Sequence, residues 1–399
     1  MKKLLVLILF TISLFGQKFE NLAPTPPMGW NSWNKFACNV DEKLIMETAD
    51  AMVNCGMKDA GYEYVVIDDC WHGERDSLGF IQPDPERFPS GIKALADYIH
   101  SKGLKFGIYS DAGWKTCGGK PGSRGYEFQD ALQYAKWGVD YLKYDWCNTE
   151  GLNAKGAYLT MRDALYSAGR PIVFRMCEWG QSEPWTWAKD IGHLWRTTGD
   201  IGVIFDGIEG HGSWNSLGVL QILDLRKGIR KYAGPNHWND PDMMEVGNGM
   251  TISEDRSHFS LWCMLAAPLM AGNDLCDMDE ATIKILTNKE VIAVNQDALG
   301  IQGFKCFAKD NWEIWGKPLS NGELALCFLN RTLETVKVDY DWHEYLIKDD
   351  EFGHQYFFNK KEYKIRDLWQ KKDIGTTEKR FKANLPAHDV IVVKLSPKK

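Results

Sequence analysis

The chain lacks a basic run beyond its two termini, and its 47 lysines and arginines are outnumbered by 54 aspartates and glutamates, for a net charge of −7. That balance disfavours nucleic acid as a partner. The nine histidines are scattered, with no His-x-His pair and no His-Glu-x-x-His, so a zinc site has no support. No Gly-x-Ser-x-Gly elbow is present, which weakens a serine hydrolase reading. Gly118-Gly119-Lys120-Pro121-Gly122 is a tight loop, but no Gly-Lys-Ser/Thr follows it, so a phosphate-cradling loop is missing. There is no internal repeat and no low-complexity segment. Long apolar runs are also missing. The apolar 4–15 region is too short for a membrane span. It follows Met1-Lys2-Lys3 and ends near Gly16-Gln17, which predicts a signal peptide over 1–17, a retained anchor being the competing reading. No cysteine follows it, which disfavours a lipoprotein. Export to a periplasm or the outside would put the ten cysteines in an oxidising compartment, where some pair.

Aromatic residues, by contrast, are abundant. Seventeen tryptophans are present, and many neighbour polar residues, as in Gly29-Trp30, Cys70-Trp71, Asp145-Trp146 and Glu178-Trp179. Aromatic faces beside polar groups suit sugar rings; filling of the core is the alternative, and about half are assigned to it. Strand-like and helix-like stretches alternate eight times between residues 28 and 270. Strands are expected at 62–67, 105–109, 141–145 and 171–175, and helices at 41–55, 90–102, 127–138 and 157–168. The 214–231 stretch reads as largely helical. Several strands end in acidic or aromatic-acidic clusters. This pattern predicts a (β/α)₈ TIM barrel over 18–301, whose active site is built at the carboxyl ends of the strands. A doubly wound sheet competes, but it needs the missing phosphate loop. From 302 to 399 short β runs without long helices predict a small antiparallel β-sandwich domain.

The strand ends carry the candidate chemistry. In Tyr141-Leu142-Lys143-Tyr144-Asp145-Trp146-Cys147-Asn148, Lys143 and Asp145 are two apart and share a face of the strand. A cation beside a carboxylate keeps it ionised, as a nucleophile requires; a structural ion pair is the plain alternative. Further strand-end carboxylates are Asp68, Asp69, Asp111, Glu178, Asp200, Asp240 and Asp242, with Arg196 as a second cation. Two carboxylates flanking a bond are the minimum for glycoside hydrolysis, one ionised and one protonated. Asp200 is the candidate acid, which places Arg196 on substrate or on another carboxylate. Asp68-Asp69 can accept bonds from vicinal hydroxyls; a metal site is the alternative, without an Asp-x-Asp-x-Asp loop to support it.

Seven ordered motifs then carry a resemblance: Met28-Gly29-Trp30-Asn31-Ser32-Trp33, Tyr62-Glu63-Tyr64 with Ile67-Asp68-Asp69-Cys70-Trp71, Gly107-Ile108-Tyr109-Ser110-Asp111, the Tyr141 to Asn148 stretch, Cys177-Glu178-Trp179-Gly180, Trp195-Arg196 through Asp200, and Trp238-Asn239-Asp240-Pro241-Asp242-Met243. From about Pro24 onward the chain resembles the α-galactosidases of glycoside hydrolase family 27, in the plant and bacterial style. The resemblance implies a retaining mechanism without a cofactor, with Asp145 as nucleophile and Asp200 as acid/base. It implies that Asp68 and Asp69 hold the galactose 4- and 6-hydroxyls, and that Lys143, Arg196 and Asp242 bind sugar. Trp33 and Tyr109 match pocket aromatics, Met243 closes the last motif, and Cys177, Glu178 and Trp179 belong to the wall near the 2-hydroxyl. A bulky wall there fits galactose rather than a 2-acetamido sugar, and the intact Asp68-Asp69 pair disfavours β-L-arabinopyranosides. These two sugars on the same fold, a non-catalytic sugar-binding protein and a metal-dependent barrel hydrolase are the other readings. The resemblance also implies disulfides Cys38–Cys70 and Cys117–Cys147, each worth about 3–4 kcal/mol by chain entropy. Gly192 stands where animal members carry the partner of Cys177, so Cys177 is expected to be unpaired. Cys55, Cys263, Cys276, Cys306 and Cys327 have no assigned partner. The expected partner is an α-galactoside substrate.

Overall fold

The computed structural model describes residues 18–225 and 228–398, so the expected signal segment lies outside the described residues. Eight strands form the centre: β1 (Met28–Asn31), β2 (Tyr64–Val66), β3 (Lys105–Asp111), β4 (Tyr141–Asp145), β5 (Val173–Met176), β6 (Leu194–Arg196), β7 (Trp238–Asp240) and β8 (Leu269–Ala271). All ladders are parallel, in the order β7-β6-β5-β4-β3-β2-β1-β8. The ring closes just beyond β7. There the Met244 N–H donates to the Met270 carbonyl at 2.8 Å, and the Gly272 N–H donates to the Met244 carbonyl at 3.0 Å. This is the expected (β/α)₈ barrel.

Side-chain alternation decides what each strand offers to the centre. In β4, Leu142 and Tyr144 join the large core shared with the surrounding helices. Tyr141 points the other way, into an inner cluster with Tyr64, Val173, Leu194, Trp238 and Met270. Lys143 and Asp145 share the parity of Tyr141, so they rise from that apolar plug toward the carboxyl-end face. Most of the longer outer helices bury one stripe, whereas Ile252–Met264 is buried nearly all round. Glu42–Asn54 buries Ile45, Thr48, Ala49 and Met52, and the Asp41 carboxylate caps it by accepting the Leu44 N–H.

The expected helix over 214–231 is mostly absent. Among the described residues of this stretch only Val219–Asp224 is α-helical, and Arg230–Tyr232 forms a 3₁₀ turn. Trp214 instead belongs to a hairpin whose strands are Ile208–Gly210 and Asn215–Leu217. The apolar residues Val219, Leu220, Ile222 and Leu223 do have helical spacing. Gly218 stops that helix from extending backward, because its N–H donates to the Gly207 carbonyl at 2.9 Å across the base of the hairpin.

The C-terminal part is antiparallel, as expected. Its main sheet runs Phe304–Lys309, Trp312–Pro318, Leu324–Asn330, Val390–Pro397, Tyr363–Asp367, Lys372–Thr376. Leu324, Leu326 and Phe328 face a core internal to this part. Ala325, Cys327 and Leu329, of opposite parity, merge into the barrel's core. A polar pin joins the two parts. The Arg230 guanidinium lies between the Phe304 and Phe352 rings, 4.7 Å from each centroid, and pairs with both Asp349 oxygens at 2.7 Å. Its Nε donates to the Gln302 carbonyl at 3.0 Å. Asp349→Ala leaves this cation buried beside only Glu351, and is expected to cost about 3 kcal/mol in denaturant unfolding. An unchanged midpoint would show that the pin contributes nothing.

Candidate active site

Lys143 is buried at the carboxyl end of β4. Its Nζ lies 2.8 Å from Asp68 Oδ2, 3.9 Å from Asp145 Oδ2 and 5.2 Å from the Tyr109 ring centroid. Asp68 is thus its closer partner, whereas strand parity alone pairs it with Asp145. Burial works against the ammonium charge, but Asp68 and then Asp145 hold its pKa above the ordinary value. Asp145 is pushed up to about 6, first by burial; Lys143 opposes this, and the charges of Asp200 and Asp68 add to it. It remains mostly ionised at neutral pH.

Asp68 also accepts Asn31 Nδ2–H at 2.7 Å and the Asp69 N–H at 2.9 Å. Asp69 accepts the N–H groups of Cys70 and Gly118, both at 2.6 Å. Residue 118 must be glycine for that approach, since a Cβ would stand 2.7 Å from Cys70 Sγ and 2.9 Å from Asp69 Oδ2. Both disulfides implied by the resemblance, Cys38–Cys70 and Cys117–Cys147, are formed and brace these loops, and Cys177 is unpaired.

On the β6 and β7 flank, Arg196 Nη2 bridges Asp200 Oδ1 at 2.9 Å and Asp242 Oδ2 at 3.0 Å. Asp200 was therefore wrongly excluded as its partner; a turn of four residues lets one guanidinium reach both acids. Asp242 also accepts the N–H groups of Ile201 at 3.0 Å and Met243 at 2.8 Å. Against the upward push of burial, Arg196 and Arg175 hold its carboxyl below the usual range. Its backbone sits at φ +93° and that of Trp179 at φ +57°, strained positions of a kind that cluster at working sites. Asp240 is structural, paired with Arg175 at 2.6 Å.

These groups line one cavity of ≈ 330 Å³. Trp33, Tyr109, Trp179 and Met243 give its apolar wall; Asp68, Asp69, Lys143 and Asp145 lie on one flank, and Arg196, Asp200 and Asp242 on another. Cys177 and Glu178 do not reach it. Cys177 is buried behind Arg196, with Sγ 3.6 Å from Nη1, and burial pushes its thiol up. Glu178 folds back to accept the Ser182 N–H at 2.6 Å. Exposure separates the two central acids: the Asp145 side chain is 8% accessible and that of Asp200 is 42%.

Sequence reasoning missed Asn34, Glu245 and the hairpin residues Glu209, His211, Trp214 and Ser216, which also line the cavity. Glu245 follows the last acidic motif by two residues, a usable signal. Burial raises it to about 7, against hydrogen bonds from Asn248 and Asn34. The Asp68-Asp69 pair is a poor cation cradle, because Lys143 and Asn31 already occupy one Asp68 oxygen. Among the described residues, Asp111, Cys117 and Cys147 are grouped closely enough to hold a metal ion, but both sulfurs are spent in the disulfide.

A parallel barrel that holds one buried and one half-open carboxylate over a small polar cavity with aromatic walls is built as a glycoside hydrolase. Residues 25–297 match the family model described as alpha galactosidase A, and residues 309–395 match that of the alpha galactosidase C-terminal beta sandwich domain. The chain belongs to that family, the α-galactosidases of glycoside hydrolase family 27. It is 58% identical over 391 residues to alpha-galactosidase A of Cellvibrio japonicus, covering 98% of this chain and 96% of that protein. It superposes on alpha-galactosidase I from Mortierella vinacea with a TM-score of 0.87 at 38% identity, covering 94% and 98% of the two chains. The Saccharomyces cerevisiae enzyme solved with raffinose gives 0.87 at 29% identity, covering 95% and 99%.

A reaction that needs ionised Asp145 loses rate as pH falls through about 6, where the buried carboxyl takes up its proton. Lys143→Met removes the main charge opposing that proton, so the acid limb of kcat/KM moves to higher pH. A limb that stays in place would show that Asp145 does not set it.

Proposed function

We propose that the enzyme is exported through residues 1–17 and hydrolyses terminal α-D-galactosides by double displacement, with Asp145 as nucleophile and Asp200 as acid/base. The observation that carries this reading is the contrast between them: Asp145 is buried beside a lysine, while Asp200 opens toward solvent on the same cavity. Asp145 attacks the anomeric carbon while Asp200 gives its proton to the leaving oxygen. The galactosyl ester neutralises Asp145. Asp200 then takes a proton from water, which attacks the same carbon and releases α-galactose.

Asp68 and Asp69 keep free acceptor capacity for the 4- and 6-hydroxyls, and Lys143 donates beside them. Arg196, fixed by Asp242, flanks the other side of the ring. Trp179 closes the wall near the 2-hydroxyl, which favours galactose over its 2-acetamido analogue. This chemistry uses no cofactor.

Proton NMR during hydrolysis of nitrophenyl α-galactoside tests the route. Early α-galactose is expected; early β-galactose would mean inversion and a reassignment of both acids. Asp145→Asn should lose ~10⁴-fold or more in kcat while keeping the fold. Normal turnover, with deamidation excluded, would refute its role.

A further inference from the structure

The hairpin that follows Asp200 carries groups that the galactosyl ring itself does not need. It is tied to the acid's own backbone. The Leu217 N–H donates to the Asp200 carbonyl at 2.8 Å, and the Gly202 N–H donates to the Leu217 carbonyl at 3.0 Å. At its tip the His211 and Trp214 rings stack, with centroids 4.1 Å apart and planes 27° apart. His211 Nε2 lies 2.9 Å from Ser216 Oγ, which fixes the imidazole beneath the indole. The turn closes through the His211 N–H on the Trp214 carbonyl at 2.8 Å. Trp214 is nonetheless 50% exposed, and Ile208 and Val203 beside it are exposed as well. Trp214, His211 and Glu209 line the catalytic cavity together with Asp145 and Asp200.

The side of the cavity matters. An acid that protonates a glycosidic oxygen stands between the ring that is kept and the group that leaves. Asp145 lies on the closed side and Asp200 on the open side, so the leaving group exits past Asp200. The hairpin begins a few residues beyond Asp200 and is hydrogen-bonded to it, so it stands on the leaving-group side. A braced, half-exposed indole beside carboxylate and imidazole groups matches a pyranose, which has an apolar C–H face and hydroxyl edges.

We infer that the hairpin spanning 208–217 is a leaving-group subsite, in which Trp214 stacks on the sugar ring next to the scissile bond and Glu209 and His211 bind its hydroxyls. This rests on the galactosidase reading above and goes beyond it by naming the aglycone class. The enzyme therefore selects galactose linked to another sugar over galactose carrying a small leaving group.

Two substrates separate the contributions. Melibiose has a glucose leaving group, whereas α-galactosyl fluoride has a single atom. Trp214→Ala is expected to lower the ratio of kcat/KM for melibiose to that for the fluoride by about ten-fold, the scale of one aromatic stacking contact. Trp214→Phe is expected to restore most of the ratio. Activity on the fluoride also reports that each variant has folded. A ratio within two-fold of wild type in Trp214→Ala would overturn the subsite. Failure of the wild-type enzyme on both galactosides would instead overturn the activity on which the subsite rests, and the subsite with it.

Discussion

One buried ammonium group holds the site together. Lys143 is the cation against which Asp68 and, at longer range, Asp145 are set, in a place where neither acid has ready access to water. Removing charges from water is costly, and the cost is offset only when each is paired and its remaining lone pairs are satisfied. Asn31 and the Asp69 N–H complete Asp68. Asp145 is left with fewer partners, and burial, followed by the charges of Asp200 and Asp68, raises its carboxyl. The same lysine therefore faces one carboxylate held by three hydrogen bonds and one that is raised by burial. The two contacts differ in length, 2.8 Å to Asp68 and 3.9 Å to Asp145.

A second network, on the β5 to β7 side, follows the same logic with the opposite purpose. Arg175 and Arg196 together hold Asp242 ionised, and Asp242 in turn fixes the loop after Asp200 by accepting the Ile201 N–H. The backbone beside Asp200 is thus positioned by a neighbouring carboxylate that two arginines hold. Sharing Arg196 between two acids leaves it well anchored while keeping one edge on the cavity.

Much of this was legible in the sequence because a strand has a period of two and its end has a direction. Those two facts place Lys143 and Asp145 together and set the acidic motifs on one face. The distances were not legible, since they depend on neighbouring strands whose register no single motif encodes; hence the shorter contact of Lys143 to Asp68 goes unseen beside the one to Asp145. Arg175 was passed over because it precedes its motif. It sits beside Lys143 in the β4–β5 ladder, and only that ladder shows that it supports the site from behind. The hairpin was hidden by a real helical pattern just after it, in Val219–Asp224, which periodicity extended back across Gly218. Glu178 was placed on the substrate wall as a strand-end carboxylate, but its loop turns the carboxylate onto the Ser182 N–H.

The order of strands in the C-terminal sheet has a consequence for how the molecule is made. The final strand, Val390–Pro397, lies in the interior of that sheet, between Leu324–Asn330 and Tyr363–Asp367. Its Val390 and Val392 are part of the apolar core that also supports the barrel. Until Val390–Pro397 has emerged during synthesis, the sheet has a gap at its centre and the barrel has an uncovered flank. A keystone so late in the sequence leaves a chain cut before Val390 with the whole cavity lining yet an open seam inviting other strands.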